Sequence, residues 1–378
     1  MAELGQSPWL AGAGRGDLLN GGLVDLVGRG VRGLTTDPAM LRTAIAECGE
    51  EHRQVQREVL SRTADTKQAY LELAIRGARQ ACMTLEGAIP EPGPRDAWVS
   101  LEVDPRFAHD VRSTVEEAVL LHQAVNHPRF CVKIPGTVQG LAAIEEATAL
   151  GVRVDVTLLF SVFRHRQAAE AYLRGLRRLR DSGGSLRGMF SVASFCVSRL
   201  DTVGDEALRA VGGDQRLAGR LAIANAKIAY RTYKEVFTGM RWDELAGAGA
   251  APQSCLWAMT APEDPTVSDV KYVEGLIGPE TITSMTREGI EAFVDHGRVA
   301  LTLEDDAGAG AGQFEVGQFE VGEFGAGESE AEAVLEGFRR AGVDYDTLAG
   351  HLEKTGIREA GWSFAEMLRD LEAVRGGI

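Results

Sequence analysis

Lys133 is the residue whose surroundings point most directly to chemistry. It lies in the segment FCVKIPGT, between Val132 and Ile134, so an apolar environment is expected on at least one side. Burial destabilises an ammonium ion and leaves more of a lysine as the free amine. A free amine adds to a ketone to give a Schiff base, which withdraws electrons and permits cleavage of an adjacent C–C bond. The alternative is that Lys133 is held in a salt bridge with Glu102 or Asp155 and forms no covalent bond.

Further residues whose side chains could take part in a reaction lie at the ends of other short apolar segments. Carboxylates and hydroxyls close to a lysine supply the groups that move protons to and from a substrate. They can act together only if the fold brings the segment ends to one place. In chain order, these residues are Thr36, Asp37, Glu102, Asp155, Thr157, Ser194, Met259 and Ser284.

The apolar segments predict eight β-strands, because short near-continuous apolar runs are typical of parallel strands covered on both faces. The predicted strands are 8–11, 31–36, 98–103, 130–134, 152–158, 189–194, 255–260 and 281–285. Amphipathic patterns predict helices at 109–125, 164–180, 221–237 and 287–293. Eight strand–helix units in roughly 300 residues match an α/β fold of the (β/α)₈ TIM-barrel type, whose strands present their carboxyl ends at one mouth. The alternative, an open doubly wound sheet, lacks its G-x-G-x-x-G motif here.

Nine segments of the chain, in this order, resemble those of the bacterial transaldolases. They are WLAGAGRGDLLNGG, VRGLTTDPAM, VSLEVDPRFAHD, FCVKIPGT, VRVDVTLLFSVFRHR, SVASFCVSRLDT, IANAKIAYRTYKEVF, LWAMT and TITSMT. The resemblance runs from about Trp9 to Trp362, and most segments fall at predicted strand ends. It implies a (β/α)₈ barrel of the Schiff-base aldolase type that moves a three-carbon dihydroxyacetone unit between sugar phosphates.

The resemblance also implies roles for the matching residues. Lys133 matches the Schiff-base lysine, and Glu102 with Thr157 matches the pair that activates the water used in forming and resolving the imine. Ser194 and Arg199 match positions that hold the substrate and its phosphate. The further predicted substrate-binding residues are Thr36, Cys196 (where relatives have an aromatic residue), Met259 and Ser284.

The chain departs from the family pattern at the acid/base position. The family's first strand ends in an aspartate that exchanges a proton with the hydroxyl at the cleaved bond. Here Ala11 and Gly12 stand there, and the nearest downstream carboxylate is Asp17. Two family asparagines are Asp37 and Asp155 in this chain, and we predict that one of these takes over the acid/base role. Their charge also favours the ammonium form of a neighbouring lysine.

A second departure concerns the phosphate site. The family's serine in W-A-S-T is Met259 here, and Glu263 stands where a cation is expected. Arg199 remains, with Arg164 or Arg166 as helpers, to neutralise a phosphate. We therefore expect a non-standard substrate, such as one without the usual terminal phosphate.

The composition and charge of the chain argue against several classes of partner and location. The 378 residues include 40 Lys and Arg against 55 Asp and Glu, a net charge of −15, which argues against nucleic-acid and anionic-membrane partners. No apolar run approaches the roughly 20 residues of a bilayer span. The amino end lacks a signal-peptide pattern and the five cysteines are scattered, so a cytoplasmic location is expected. No metal-ligand spacing is present, and we expect no metal or cofactor, a ketose or aldose substrate with or without phosphate, and a monomer or homodimer.

The predicted organisation has three parts. Residues 1–304 form the barrel, 305–332 a flexible Gly- and Glu-rich loop, and 333–378 C-terminal helices (333–341 and 362–374) that pack on the barrel, with Trp362 as an anchor. The loop repeats GQFEV, which is typical of expansion in a tolerant surface segment. The alternative is partner docking through Phe314, Phe319 and Phe324.

Three functions remain open from the sequence. The first is a transaldolase-like enzyme that forms a Lys133 Schiff base with a ketose or ketose phosphate and transfers or cleaves a three-carbon unit. The second is a catalytically silent barrel that binds a sugar or a protein. The third is a Schiff-base aldolase or dehydratase without group transfer.

Overall fold

The structure is a computed structural model that describes residues 1–12, 21–37, 42, 50–304 and 329–376. Several sequence predictions therefore lie outside the described residues. They are the predictions for Asp17 and for most of the 305–332 loop with Phe314, Phe319 and Phe324.

Eight parallel strands form a closed barrel in which each strand pairs with the next and the eighth pairs with the first. The strands are Gln6–Ala11 (β1), Gly33–Thr35 (β2), Val99–Glu102 (β3), Phe130–Pro135 (β4), Val154–Leu159 (β5), Ser191–Cys196 (β6), Gln253–Ala258 (β7) and Thr281–Met285 (β8). The predicted TIM barrel is confirmed, and the alternative of an open doubly wound sheet is wrong, because β8 closes on β1.

Helices connect and surround the strands. They are Gly22–Gly28 (α1), Glu50–Arg62 (α2), Thr66–Ala88 (α3), Val111–Val125 (α4), Val138–Ala149 (α5), Val162–Asp181 (α6), Ser198–Ala210 (α7), Leu221–Val236 (α8), Met240–Gly247 (α9), Lys271–Glu274 (α10), Arg287–His296 (α11), Glu330–Arg340 (α12) and Tyr345–Gly376 (α13). Short 3₁₀ turns occur at Ala2–Leu4, Pro105–Phe107 and Gln215–Leu217. Side-chain caps fix several starts: Asp110 accepts from the Ser113 amide, and Ser161 accepts from the Arg164 amide. Among the described residues, none of the helices is both long and apolar enough to cross a membrane.

Large side chains fill the amino-terminal half of the barrel interior. The Trp98 and Phe190 rings stack with centroids 3.6 Å apart, and Trp9 lies 6.5 Å from Phe190. Trp9 fits because its neighbour on β2 is Gly33: a Cβ there would lie 2.5 Å from the indole nitrogen. This apolar plug closes one end, so polar inward-facing side chains gather at the carboxyl ends of the strands.

The C-terminal region differs from the prediction in two respects. In place of a helix limited to 362–374, α13 is continuous from Tyr345 to Gly376. Trp362 is 61% exposed, so its predicted anchoring role is wrong, whereas Phe364 is buried and packs edge-on against Tyr70 at 5.0 Å. Because successive helical residues are about 100° apart, positions 362 and 364 lie on nearly opposite faces of the helix.

Candidate active site

Three charged residues stand side by side on neighbouring strands. Glu102 on β3 is the Cα partner of Lys133 on β4, and Lys133 is the Cα partner of Asp155 on β5. All three are buried, with 6%, 8% and 0% of their surface exposed. Register therefore brings an amine between two carboxyl groups inside the barrel.

The Lys133 amine is not held in a hydrogen-bonded salt bridge with either neighbouring carboxyl group. Its Nζ donates a hydrogen bond to the backbone oxygen of Thr36. The nearest oxygen of Asp155, Oδ2, is 4.0 Å away, beyond hydrogen-bond distance. In the described part of the chain, no hydrogen bond joins Nζ to Glu102 or Asp155. The nitrogen is thus held in position while both carboxyl groups remain at its sides.

Glu102 is the carboxyl group of the site whose pKa is shifted. Burial raises its pKa from 4.5 to about 7; the positive charge of Lys133 opposes the rise, the negative charge of Asp37 adds to it, and the Thr36 hydrogen bond opposes it. Thr36 Oγ1 donates to Oε2 at 2.9 Å. The other oxygen, Oε1, is buried without a hydrogen-bond partner in the described residues. A carboxyl group that titrates near neutrality can both release and accept a proton.

Asp155 is fixed through one oxygen and open at the other. Its Oδ1 accepts a 2.6 Å hydrogen bond from the Ser194 hydroxyl on β6. Its Oδ2 is buried and has no hydrogen-bond partner among the described residues. Thr157 lies two residues further along β5, so its side chain points to the same barrel interior. It is partly exposed, and its hydroxyl has no partner within the described ranges.

Thr36 and Asp37 follow directly after β2. Besides its bond to Glu102, the Thr36 hydroxyl lies 3.1 Å from the backbone oxygen of Ser100. Asp37 is half-buried, and its charge acts on Glu102. At the equivalent end of β1, Ala11 carries no polar side chain and the Gly12 amide donates to Thr35 O at 2.7 Å. The carboxylates beside Lys133 thus come from β3 and β5, and Asp37, in the segment after β2, acts on Glu102.

Arg199 is the second residue of helix α7, three residues after the end of β6. Its Nε lies 3.2 Å from Glu263, and its Nη1 lies 2.6 Å from Glu359 on α13.

The two arginines predicted to help Arg199 are also paired with carboxylates: Arg164 with Glu353 at 3.1 Å, and Arg166 with Glu235. The guanidinium groups expected to receive a phosphate are therefore engaged by carboxylates.

Three other predicted substrate-binding residues differ in access. Met259 follows β7 in the left-handed region, with φ of 53°, and is 40% exposed. Ser284 is buried and its hydroxyl donates to Trp257 O at 3.2 Å. Cys196 is buried, which raises the pKa of its thiol to about 12, so the thiolate needed for nucleophilic attack is scarce. Of the three, Met259 is the residue most open to the barrel mouth.

Glu359 is a residue that sequence reasoning missed. It is separated from Arg199 by 160 positions, and no local motif marks it. Only the path of α13 across the barrel mouth brings it there: Phe364 contacts Tyr70 and the Arg106 guanidinium, and Gly356 lies against Leu158 at the end of β5.

Metal binding has no support among the described residues. No group of three or more His, Cys, Asp or Glu side chains there is arranged to hold a metal ion. The four described cysteines are buried free thiols: Cys82, Cys131, Cys196 and Cys255.

Comparisons with known proteins give a consistent result. The family described as Transaldolase/Fructose-6-phosphate aldolase matches residues 19–374. The chain is 39% identical over 370 residues to a protein named Transaldolase from Saccharopolyspora erythraea, covering 98% of this chain and 95% of the relative. It is 38% identical over 367 residues to Transaldolase 1 of Streptomyces coelicolor (96% and 91% covered) and 35% identical over 377 residues to Transaldolase of Mycobacterium tuberculosis (99% and 95%).

Proposed function

The chain belongs to the transaldolase family of transferases and aldolases, and on this premise we propose that Lys133 forms the Schiff base and that the substrate is a non-standard ketose. The observation that carries the proposal is the buried Lys133 amine between Glu102 and Asp155, without a hydrogen bond to either carboxyl group in the described residues. The family name supports a sugar substrate, and a three-carbon dihydroxyacetone unit is the group to be transferred or cleaved.

Schiff-base formation needs an acid and a base at one place. The Lys133 amine adds to the ketose carbonyl, and the carbinolamine loses water when a proton reaches its departing hydroxyl. Glu102 suits this step because a carboxyl group with a pKa of about 7 is partly protonated near neutrality. Its ionised form takes a proton from water when the imine is later hydrolysed. Thr157, on the same rim, is assigned to orient that water.

Cleavage of the C–C bond requires a base for the substrate hydroxyl. We assign this base to Asp155, because Ser194 holds its Oδ1 while Oδ2 faces Lys133 at 4.0 Å without another partner in the described chain. The hydroxyl proton passes to Oδ2, an aldehyde leaves, and the bond electrons move into the imine to give an enamine on Lys133. Addition of the enamine to an acceptor aldehyde reverses these changes. Asp37 acts in this scheme through its charge on Glu102.

Borohydride trapping tests the covalent step. The protein is incubated with ketoses, with and without phosphate, reduced, and analysed by intact mass and peptide mapping. We expect a reduced ketose or three-carbon adduct on Lys133 that is absent from Lys133→Met. Lys234→Met is the matched control, because Lys234 pairs with Glu304 on the outer surface. Absence of any Lys133 adduct across the panel would reject the proposal.

The role of Asp155 has a separate test. Asp155→Asn keeps the Ser194 side of the site, so trapping should persist while C–C cleavage falls by about 10²–10⁴-fold. Asp37→Asn should change the pH dependence more than the maximal rate. The opposite result would move the acid/base role to Asp37.

The third sequence hypothesis, cleavage without transfer, is separated by product analysis. With an acceptor aldehyde present, transfer gives a new ketose, whereas simple cleavage gives free dihydroxyacetone at the same rate with or without acceptor. We expect the new ketose, since the enamine is enclosed by the buried strand ends.

A further inference from the structure

Arg199 is held between two carboxylates that come from distant parts of the chain. Glu263, in the segment after β7, contacts Nε at 3.2 Å, and Glu359 of α13 contacts Nη1 at 2.6 Å. Because two negative groups meet one positive group, the cluster carries a net negative charge. The arginine side chain is 26% exposed and the two glutamates are 43% and 46% exposed, so the cluster faces solvent at the barrel mouth.

The cluster belongs to the same mouth as the amine. Arg199 lies in the first turn of α7, three residues after the end of β6, the strand that carries Ser194. The buried thiol of Cys196 experiences the positive charges of both Lys133 and Arg199. Both positive groups therefore lie near the carboxyl end of β6, and we assign the far end of a ketose attached to Lys133 to this side of the mouth.

Glu359 is held in place by the packing of α13. A Cβ at Gly356 would lie 3.1 Å from Leu158 Cδ2, so the helix backbone approaches the end of β5 closely. Glu353, six residues before Glu359, pairs with Arg164 at 3.1 Å. These contacts fix the helical turn that presents Glu359 to Arg199, and the carboxylate does not depend on a flexible segment for its position.

We propose that Glu359 and Glu263 are specificity-determining residues that occupy Arg199 in place of a substrate phosphate, so that the site selects ketoses whose far end carries no negative charge. The proposal rests on the proposed function and deepens it by naming the charge class of the substrate. A phosphate is bound best when a guanidinium offers two parallel N–H donors. Here two of the arginine nitrogens already donate to carboxylates, and an incoming phosphate meets like charges that disfavour it.

The first experiment compares two probes that differ at one end, fructose and fructose 6-phosphate, by the rate of borohydride trapping on Lys133. The wild type should trap fructose at least about tenfold faster, since like charges brought together suppress the wrong partner. The double variant Glu263→Gln/Glu359→Gln should reverse or abolish this preference. Glu372→Gln is the matched control, because it removes an ion pair of the same helix, with Arg375, and leaves Arg199 and Arg164 untouched. A wild type that prefers the phosphate, or a preference that the double variant leaves unchanged, would overturn the inference.

The second experiment does not depend on covalent chemistry. Inorganic phosphate is titrated calorimetrically into the wild type, the double variant, and the double variant with Arg199→Ala added. Binding should strengthen at least about tenfold in the double variant and be lost again when Arg199 is removed. Equal phosphate affinity in the wild type and the double variant would reject the role of the two glutamates. Absence of trapping with every ketose would instead reject the proposed function, so the two failures are distinguishable.

Discussion

Replacing Glu102 by glutamine tests the electrostatics of the site. Burial is the main cause that raises the Glu102 pKa from 4.5 to about 7. Glutamine has nearly the same shape and cannot ionise, so it keeps the packing and removes the cost of a buried charge. One pKa unit corresponds to about 1.4 kcal/mol, so the ionised carboxylate costs the folded state about 3 kcal/mol.

Stability changes with pH because the unfolded chain and the folded protein lose the Glu102 proton at different pH values. Below pH 4.5 Glu102 is protonated in both states and costs nothing. Between pH 4.5 and about 7 the unfolded chain ionises first, so stability falls as the pH rises. Above pH 7 the folded state bears the full cost. The gain from Glu102→Gln should therefore be about 2–3 kcal/mol larger at pH 8 than at pH 5.

The assay is unfolding of both proteins at pH 5 and pH 8, by urea at 25 °C and by heating. For a chain of 378 residues, an entropy of about 2 cal/mol/K per residue converts this gain to roughly 3 °C in Tm. The pH 5 comparison is the control, because any packing defect of glutamine acts at both pH values. Activity should fall by about 10²–10⁴-fold in the same variant. A stability difference that is the same at both pH values would contradict a raised Glu102 pKa in the folded protein.

Two further predictions concern the scaffold. Gly33→Ala should lower the free energy of unfolding by about 1–3 kcal/mol, because its Cβ would meet the Trp9 indole at 2.5 Å. Gly77→Ala on α3, with nothing within 4 Å, should raise it by up to about 1 kcal/mol, and equal effects in urea unfolding would contradict the packing argument. Tyr345→Phe removes a hydroxyl that donates to Asn225 and accepts from the amide of residue 162, and should cost about 1–3 kcal/mol. In Tyr345→Phe, amide hydrogen exchange should be faster in the first turns of α13. Unchanged exchange would show that the Tyr345 hydroxyl does not anchor the start of this helix.

The residue pattern alone predicts the architecture and the family. The eight strands are predictable because parallel strands covered on both faces are short apolar runs, and such runs are visible in the sequence. Lys133 stood out for the same reason, as a charged residue within such a run. The order of polar residues at strand ends was sufficient to expect Glu102, Lys133 and Asp155 at one rim.

Which side chains contact one another depends on how the chain folds. Strand register, not spacing along the chain, aligns Glu102, Lys133 and Asp155, and burial then shifts the Glu102 pKa to about 7. The Arg199–Glu359 pair joins residues 160 positions apart, so no local pattern encodes it. Trp362 is exposed although the sequence predicts an anchor, because an aromatic residue in a helix does not reveal which face is covered until the helix has docked. Local propensity selects helices and strands, but pairing and desolvation depend on contacts that form only when distant segments close on one another.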